Sequence, residues 1–248
     1  MLLHGLGAAA ESWALQIPPL VSNGFRVIVP DARGFGKSSF PGKTSIACMS
    51  KDYTALLDNL GIYALNLVGL SMGGAVALQF ALDFPARINS LVLVNTFDRL
   101  RPDSPSEFFY FFIRMILVHT VGISRQAQVV AKRIFPDPDQ SDYRAALIDQ
   151  ILQANPKAYR SAMRALAFHN VTARLKELPP NVLIITGEND TTIPSSKQKI
   201  MAGKIRGAKH AIIPGAGHAV TIDQPGPFNQ LLIKFLNGVK HDNRHLFT

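Results

Sequence analysis

Cysteine, acidic residues and long apolar runs are all scarce in this sequence. Cys48 is the only cysteine in 248 residues, so no disulfide can form within the chain. A single thiol suits a reducing compartment, and the start of the sequence carries no basic, apolar and cleavage-site pattern of a secretory leader. A cytoplasmic location is the expectation. The most apolar stretch, 108–121, is interrupted by Arg114 and is too short to span a bilayer, so no stable membrane anchor is expected. Asp and Glu number 17 against 26 Lys and Arg, a formal net charge of +9. The basic residues are scattered, densest between Asp98 and Lys176, and form no run of the kind that grips nucleic acid. Apolar residues make up 47 % of the chain and charged residues 17 %, which excludes a disordered chain. The length suits one large α/β domain with a small insertion.

Short apolar runs alternate with helical patterns. Strands are predicted at 25–29, 65–68, 91–94, 182–185 and 210–213, each short and bounded by Gly, Pro, Asn or Asp, as buried parallel strands are. Helices are predicted at 11–21, 45–60, 72–84, 195–205 and 224–236. This alternation predicts an α/β fold, a mostly parallel sheet with helices on both faces. From about 98 to 171 the pattern is helical without a convincing strand, which predicts a helical cap inserted into the fold. The expected organisation is a first core part over 1–97, the cap over 98–171, a second core part over 172–238 and a loose polar tail over 239–248. Met1-Leu-Leu-His4 reads as the end of a strand already entering a Gly-rich turn.

The residues that carry chemistry sit at strand ends. Gly69-Leu-Ser71-Met-Gly73 follows the strand at 65–68 and opens the helix at 72, the strand–turn–helix context of a nucleophile elbow. Glycines on either side let the turn close sharply and project the Ser71 hydroxyl above the sheet, with the Met72 amide free to donate to an oxyanion. A serine needs a base. His218, in the loop Gly215-Ala-Gly-His218 after the last predicted strand, is the candidate. His210 begins an apolar strand and reads as a packed residue. His119 and His169 fall in the cap and read as structural or substrate-lining. The base needs an acid to hold its tautomer. Asp190, closing Gly187-Glu-Asn-Asp190, is that candidate, with Glu188 in the same loop and Asp98 after the strand at 91–94 as competitors. Ser71, Asp190, His218 is the chain order of an α/β hydrolase triad. The turn His4-Gly-Leu-Gly7 suits a second oxyanion donor, the amide of Leu6, with His4 as its brace. Asp31-Ala-Arg-Gly-Phe-Gly-Lys-Ser38 ends like a phosphate-binding loop. That pattern needs a glycine where Asp31 stands, so a tight turn fixed by Asp31 and Arg33 is expected instead.

The His-Gly-Leu-Gly turn, Trp13, the Asp31–Ser38 segment, Gly-Leu-Ser-Met-Gly-Gly, Gly-Glu-Asn-Asp and Gly-Ala-Gly-His together resemble the α/β-hydrolase superfamily. They are similar to its branch of small esterases, enol-lactonases of the 3-oxoadipate type and carbon–carbon bond hydrolases. The resemblance covers nearly the whole chain and is weakest in the cap. It implies Ser71, Asp190 and His218 as the triad and Leu6 and Met72 as oxyanion donors. It also implies two further strands and most of a third before the His-Gly turn, which this sequence does not contain. The expected activity is hydrolysis of a small or medium carboxylic ester or lactone through an acyl-enzyme, with no metal or organic cofactor. Acyl transfer or perhydrolysis on the same scaffold, and a slow-turnover ligand-binding protein, are the alternatives. Phe108, Phe112 and Met115, with Phe109, Phe111 and Ile116, are candidates to line the substrate pocket.

Overall fold

The computed structural model describes residues 1–100 and 122–244, and between them positions 105, 108, 109, 112, 113 and 116; side chains are described to 239. Phe111, Met115 and His119, and the side chains beyond 239, lie outside the described residues.

Five parallel strands form one sheet in the order β1 (Leu2–Leu3), β2 (Leu65–Leu70), β3 (Ile88–Val94), β4 (Val182–Gly187) and β5 (Lys209–Ile213). The central strands are apolar on both faces because helices cover both. Leu91 and Leu93 face a core built with Leu57, Leu78 and Phe80, while Val92 and Val94 face a second core with Trp13, Phe228 and Leu232. This is the period of two that a strand imposes. Helices α1 (Ile17–Ser22), α2 (Ile46–Asn59) and α3 (Met72–Asp83) precede β3. Between β3 and β4 lie α4 (Ile123–Ile134), α5 (Ser141–Gln153) and α6 (Pro156–Ala167). After β4 come α7 (Ser195–Gly203), α8 (Val220–Asp223) and α9 (Pro225–Arg244). The segment between β3 and β4 leaves and re-enters the core at one place. Arg99 and Asn170 form an isolated antiparallel bridge, and the Val171 amide donates to the Asp98 carbonyl at 2.9 Å.

Three expectations are corrected. The segment 25–29 is not a strand. It makes one sheet-like bond to β1, Leu2 N–H to the Ile28 carbonyl at 2.9 Å, and a two-residue β1 offers too short a ladder for more. The helix expected over 11–21 breaks into a 3-10 turn at Ala10–Trp13 and α1. Pro18 and Pro19 are the cause: lacking N–H groups, they fit only a helix's first turn. The polar tail expected from Val239 instead continues α9 as far as Arg244, anchored by buried Leu236 and Val239.

Candidate active site

Parallel strands all end on one side, so the loops after β1, β2, β4 and β5 converge there. The loop after β2 is tightest. Ser71 holds φ 53° and ψ −113°, a backbone conformation that costs a non-glycine residue about 1–3 kcal/mol. Its neighbours leave no room for relaxation. A Cβ on Gly69 would stand 2.3 Å from the Gly73 carbonyl oxygen, and one on Gly73 would stand 2.2 Å from the Leu3 carbonyl oxygen. The Ser71 amide donates to the Val94 carbonyl at 2.9 Å, and the Thr96 hydroxyl donates to the Ser71 carbonyl at 2.7 Å. Met72 is the first residue of α3, so its amide has no intrahelical acceptor.

The turn after β1 lies against the serine: a Cβ on Gly5 would be 3.6 Å from the Ser71 Cβ. His4 braces this turn. Its Nε2 accepts from the Ala32 amide at 2.9 Å, which leaves the proton on Nδ1 to be donated to the Gly5 carbonyl at 2.8 Å. Burial lowers the His4 pKa, in keeping with a neutral ring. Asp31 ties down the next turn, accepting from the Ala10 amide at 2.8 Å and the Lys37 amide at 2.9 Å. A Cβ on Gly36 would collide with that carboxylate, and Arg33 pairs with Asp52. The Gly-Lys-Ser sequence is therefore part of a turn built around a carboxylate, with no cradle for phosphate.

His218 and Asp190 meet across the loops after β5 and β4. His218 Nδ1 lies 2.9 Å from Asp190 Oδ2, with both side chains buried. Asp190 Oδ1 accepts from the amides of Thr192 and Ile193 at 2.8 and 2.9 Å. These bonds fix the carboxylate, and a carboxylate can only accept, so the Nδ1 proton of His218 points at it and the neutral ring has its lone pair on Nε2. The two competitors for the acid role lie elsewhere. Glu188 accepts from the Gly215 amide at 3.0 Å. Asp98 accepts from the Thr172 hydroxyl at 2.6 Å, at the base of the β3–β4 segment.

Ser71 and His218 line one cavity of about 380 Å³, together with Gly5 and Leu6. Its walls are mostly apolar: Leu15, Phe97, Val130, Ile134, Leu147 and Ile193 among others, with Glu11 and Arg133 as charged lining residues. Helices α4 and α5 supply much of this lining. Phe108 and Phe112 are not among the lining residues. They are exposed and stack on one another, with centroids 6.3 Å apart. Among the described residues no group of three or more His, Cys, Asp or Glu side chains is arranged to hold a metal ion.

Three supporting residues escape a motif-based reading. Asn95, buried with φ 43°, donates to the carbonyls of Gly217 and His218 at 3.0 and 2.8 Å and accepts from the Gly187 amide at 2.8 Å. Thr96 holds the Ser71 carbonyl, and its side chain fills the space a Cβ on Gly74 would need. Asp223 accepts from the Gly217 amide at 2.9 Å, and burial foremost raises its pKa. The available signal was Asn95-Thr96 itself, two polar residues at the carboxyl end of a buried apolar strand.

A family model for the alpha/beta hydrolase fold matches residues 1–225. The chain belongs to the α/β-hydrolase fold family. Like other members it carries its candidate groups on loops at the carboxyl ends of the strands. Among its relatives, RutD of Caulobacter segnis, described by name as a carbamate hydrolase, is 32 % identical over 96 % of this chain and 91 % of its own. An esterase from Thermogutta terrifontis, solved with malate bound, superposes with a TM-score of 0.84 at 31 % identity, covering 96 % of this chain and 89 % of that one. The enol-lactonase of Burkholderia xenovorans superposes at 0.87 with 28 % identity, covering 95 % and 90 %.

Proposed function

We propose that this α/β-hydrolase cleaves carboxylic esters or lactones through an acyl-enzyme on Ser71. The observation that carries the reading is the buried His218–Asp190 pair opening onto the same cavity as the strained Ser71. In the proposed cycle His218 Nε2 takes the Ser71 hydroxyl proton as the oxygen attacks the substrate carbonyl. The amides of Leu6 and Met72 donate to the oxyanion, each such donor contributing about 3 kcal/mol. The protonated His218 gives its proton to the leaving alkoxide. Water, losing a proton to His218, then attacks the acyl-enzyme, and that proton returns to Ser71 as the acid departs. Asp190 keeps its negative charge throughout and stabilises the imidazolium.

The cavity favours a substrate with an apolar body. Its roughly 380 Å³ falls within the range of small-molecule sites, and most of its wall is apolar, with Glu11, Arg133, Tyr143 and Gln150 among its polar side chains. Ester and lactone hydrolysis also accords with the names of the esterase and enol-lactonase neighbours. The similarity to RutD favours a second reading, in which a carbamate is the substrate. A carbamate's amino group would need an acceptor on these walls, which Glu11 and Gln150 could offer. Phenyl butyrate and phenyl carbamate, which share a leaving group, decide between the two. Higher kcat/KM on phenyl butyrate supports the ester reading, and higher kcat/KM on phenyl carbamate replaces it with the carbamate one.

A further inference from the structure

The helices between β3 and β4 do more than wall the cavity. From them and the turn before α5, side chains grip three of the four loops that build the site. The oxyanion turn is gripped at Gly7, where φ is +82° and a Cβ would stand 2.7 Å from Ile151 of α5 and 3.0 Å from Tyr159 of α6. Both side chains are fully buried, so the turn's backbone rests directly on a rigid surface. The His218 loop is gripped through Asp223. One carboxylate oxygen accepts from the Gly217 amide, and the other accepts from Gln140 Nε2 at 3.3 Å. Gln140 is itself fixed by the Asp137 amide, which donates to its Oε1 at 3.1 Å. The loop of Asp190 is gripped by Arg133 of α4, which donates to the Thr191 carbonyl.

Ile151, Tyr159 and Gln140 line no part of the cavity, so their contacts are with the machinery and not with substrate. Their near neighbours on α5, Leu147 and Gln150, do line it. We infer that Ile151 and Gln140 are positioning residues, through which the helices between β3 and β4 hold the oxyanion turn and the His218 loop in reacting geometry. This rests on the serine-hydrolase reading above. A structural role alone would lower stability but leave the folded enzyme's chemistry intact. A positioning role moves the chemical step, because a displacement of about 1 Å at the reacting groups can cost up to roughly a hundredfold in rate.

The test uses the full chain and two variants. Ile151→Ala removes the surface under Gly7. Gln140→Glu keeps an acceptor for the Asp137 amide but replaces the donor to Asp223 with another acceptor. The readouts are the rate at which diisopropyl fluorophosphate modifies Ser71, followed by mass spectrometry, and kcat and KM for p-nitrophenyl acetate. Each variant is expected to lose roughly tenfold in both the modification rate and kcat, with KM unchanged. Ile151→Val should restore most of the loss. Leu147→Ala, a change in the cavity wall, should instead alter KM for longer acyl chains. Folded variants that react at the wild-type rate would overturn the inference. Should Ile151→Ala fail to fold, Gln140→Glu still carries the comparison. A wild type that the reagent never modifies removes the serine-hydrolase reading and this inference with it, whereas a reactive wild type with unaffected variants removes only this one.

Discussion

The Asp190 carboxylate accepts hydrogen bonds from two amides of its own loop and from His218. The amide bonds fix the carboxylate so that its second oxygen faces Nδ1. Asp190→Asn would present an amide there, favouring the tautomer that places the proton on Nε2, where the proposed base needs a lone pair. Turnover of p-nitrophenyl butyrate is expected to fall by about ten-thousandfold with little change in thermal midpoint. An Asp98→Asn variant, altered at the base of the β3–β4 segment, should keep its turnover. These residues were readable in the sequence because a sharp turn demands Gly69 and Gly73, and because a serine nucleophile demands a histidine and an acid in a set chain order. The choice of Asp190 over Glu188 and Asp98 was less legible, since three carboxylates follow two strand ends and only the third dimension shows which one faces His218.

At the scale of elements, β3, β4 and the His218 loop are stapled by one side chain. Asn95 donates to the carbonyls of Gly217 and His218 and accepts from the Gly187 amide, all in a buried setting. Asn95→Ala would leave these groups without partners, at a cost of about 3 kcal/mol, readable as a lower midpoint in urea unfolding. Turnover should fall as well, because the His218 carbonyl loses its anchor. The positions of β2 to β5 and of α2, α3 and α7 along the chain were legible because parallel strands covered on both faces are written as short continuous apolar runs. Two things were hidden. The break before α1 depended on Pro18-Pro19, which the apolar periodicity masked. The extension of α9 to Arg244 depended on Leu236 and Val239 finding buried places, which a polar composition does not reveal. Pocket lining was hidden too: the aromatic cluster near 108–112 drew attention by composition, yet Phe108 and Phe112 are exposed, and among the described residues much of the lining comes from α4, α5 and the turns after the strands.

For the whole molecule, acid stability follows from its buried histidines. His169 is buried with Nε2 unpartnered, and burial lowers its pKa from 6.5 to about 4. Below pH 6.5 the unfolded chain therefore binds a proton that the folded chain refuses, so stability falls as the pH drops from 6.5 to about 4 and this contribution levels off below that. The full effect is on the order of 3 kcal/mol. His4, also lowered by burial, adds in the same direction, while Asp223, raised by burial, opposes it. His169→Leu should match the wild type near pH 7 or exceed it, since an unbonded polar atom is removed, and should show a shallower loss of urea midpoint between pH 7 and 4.5. An unchanged slope would remove His169 from the account. No helix among the described residues is long and apolar enough to cross a membrane.

Ser71 is proposed as the nucleophile of an ester-cleaving enzyme. The most direct test is hydrolysis of p-nitrophenyl acetate, butyrate and octanoate by the wild type and by Ser71→Ala. Multiple turnovers by the wild type are expected, with a preference for acyl chains longer than acetyl that fill the apolar cavity, and a fall to background in Ser71→Ala, on the order of a millionfold. A folded wild type inactive on all three esters, or a Ser71→Ala variant that keeps the activity, would contradict that role.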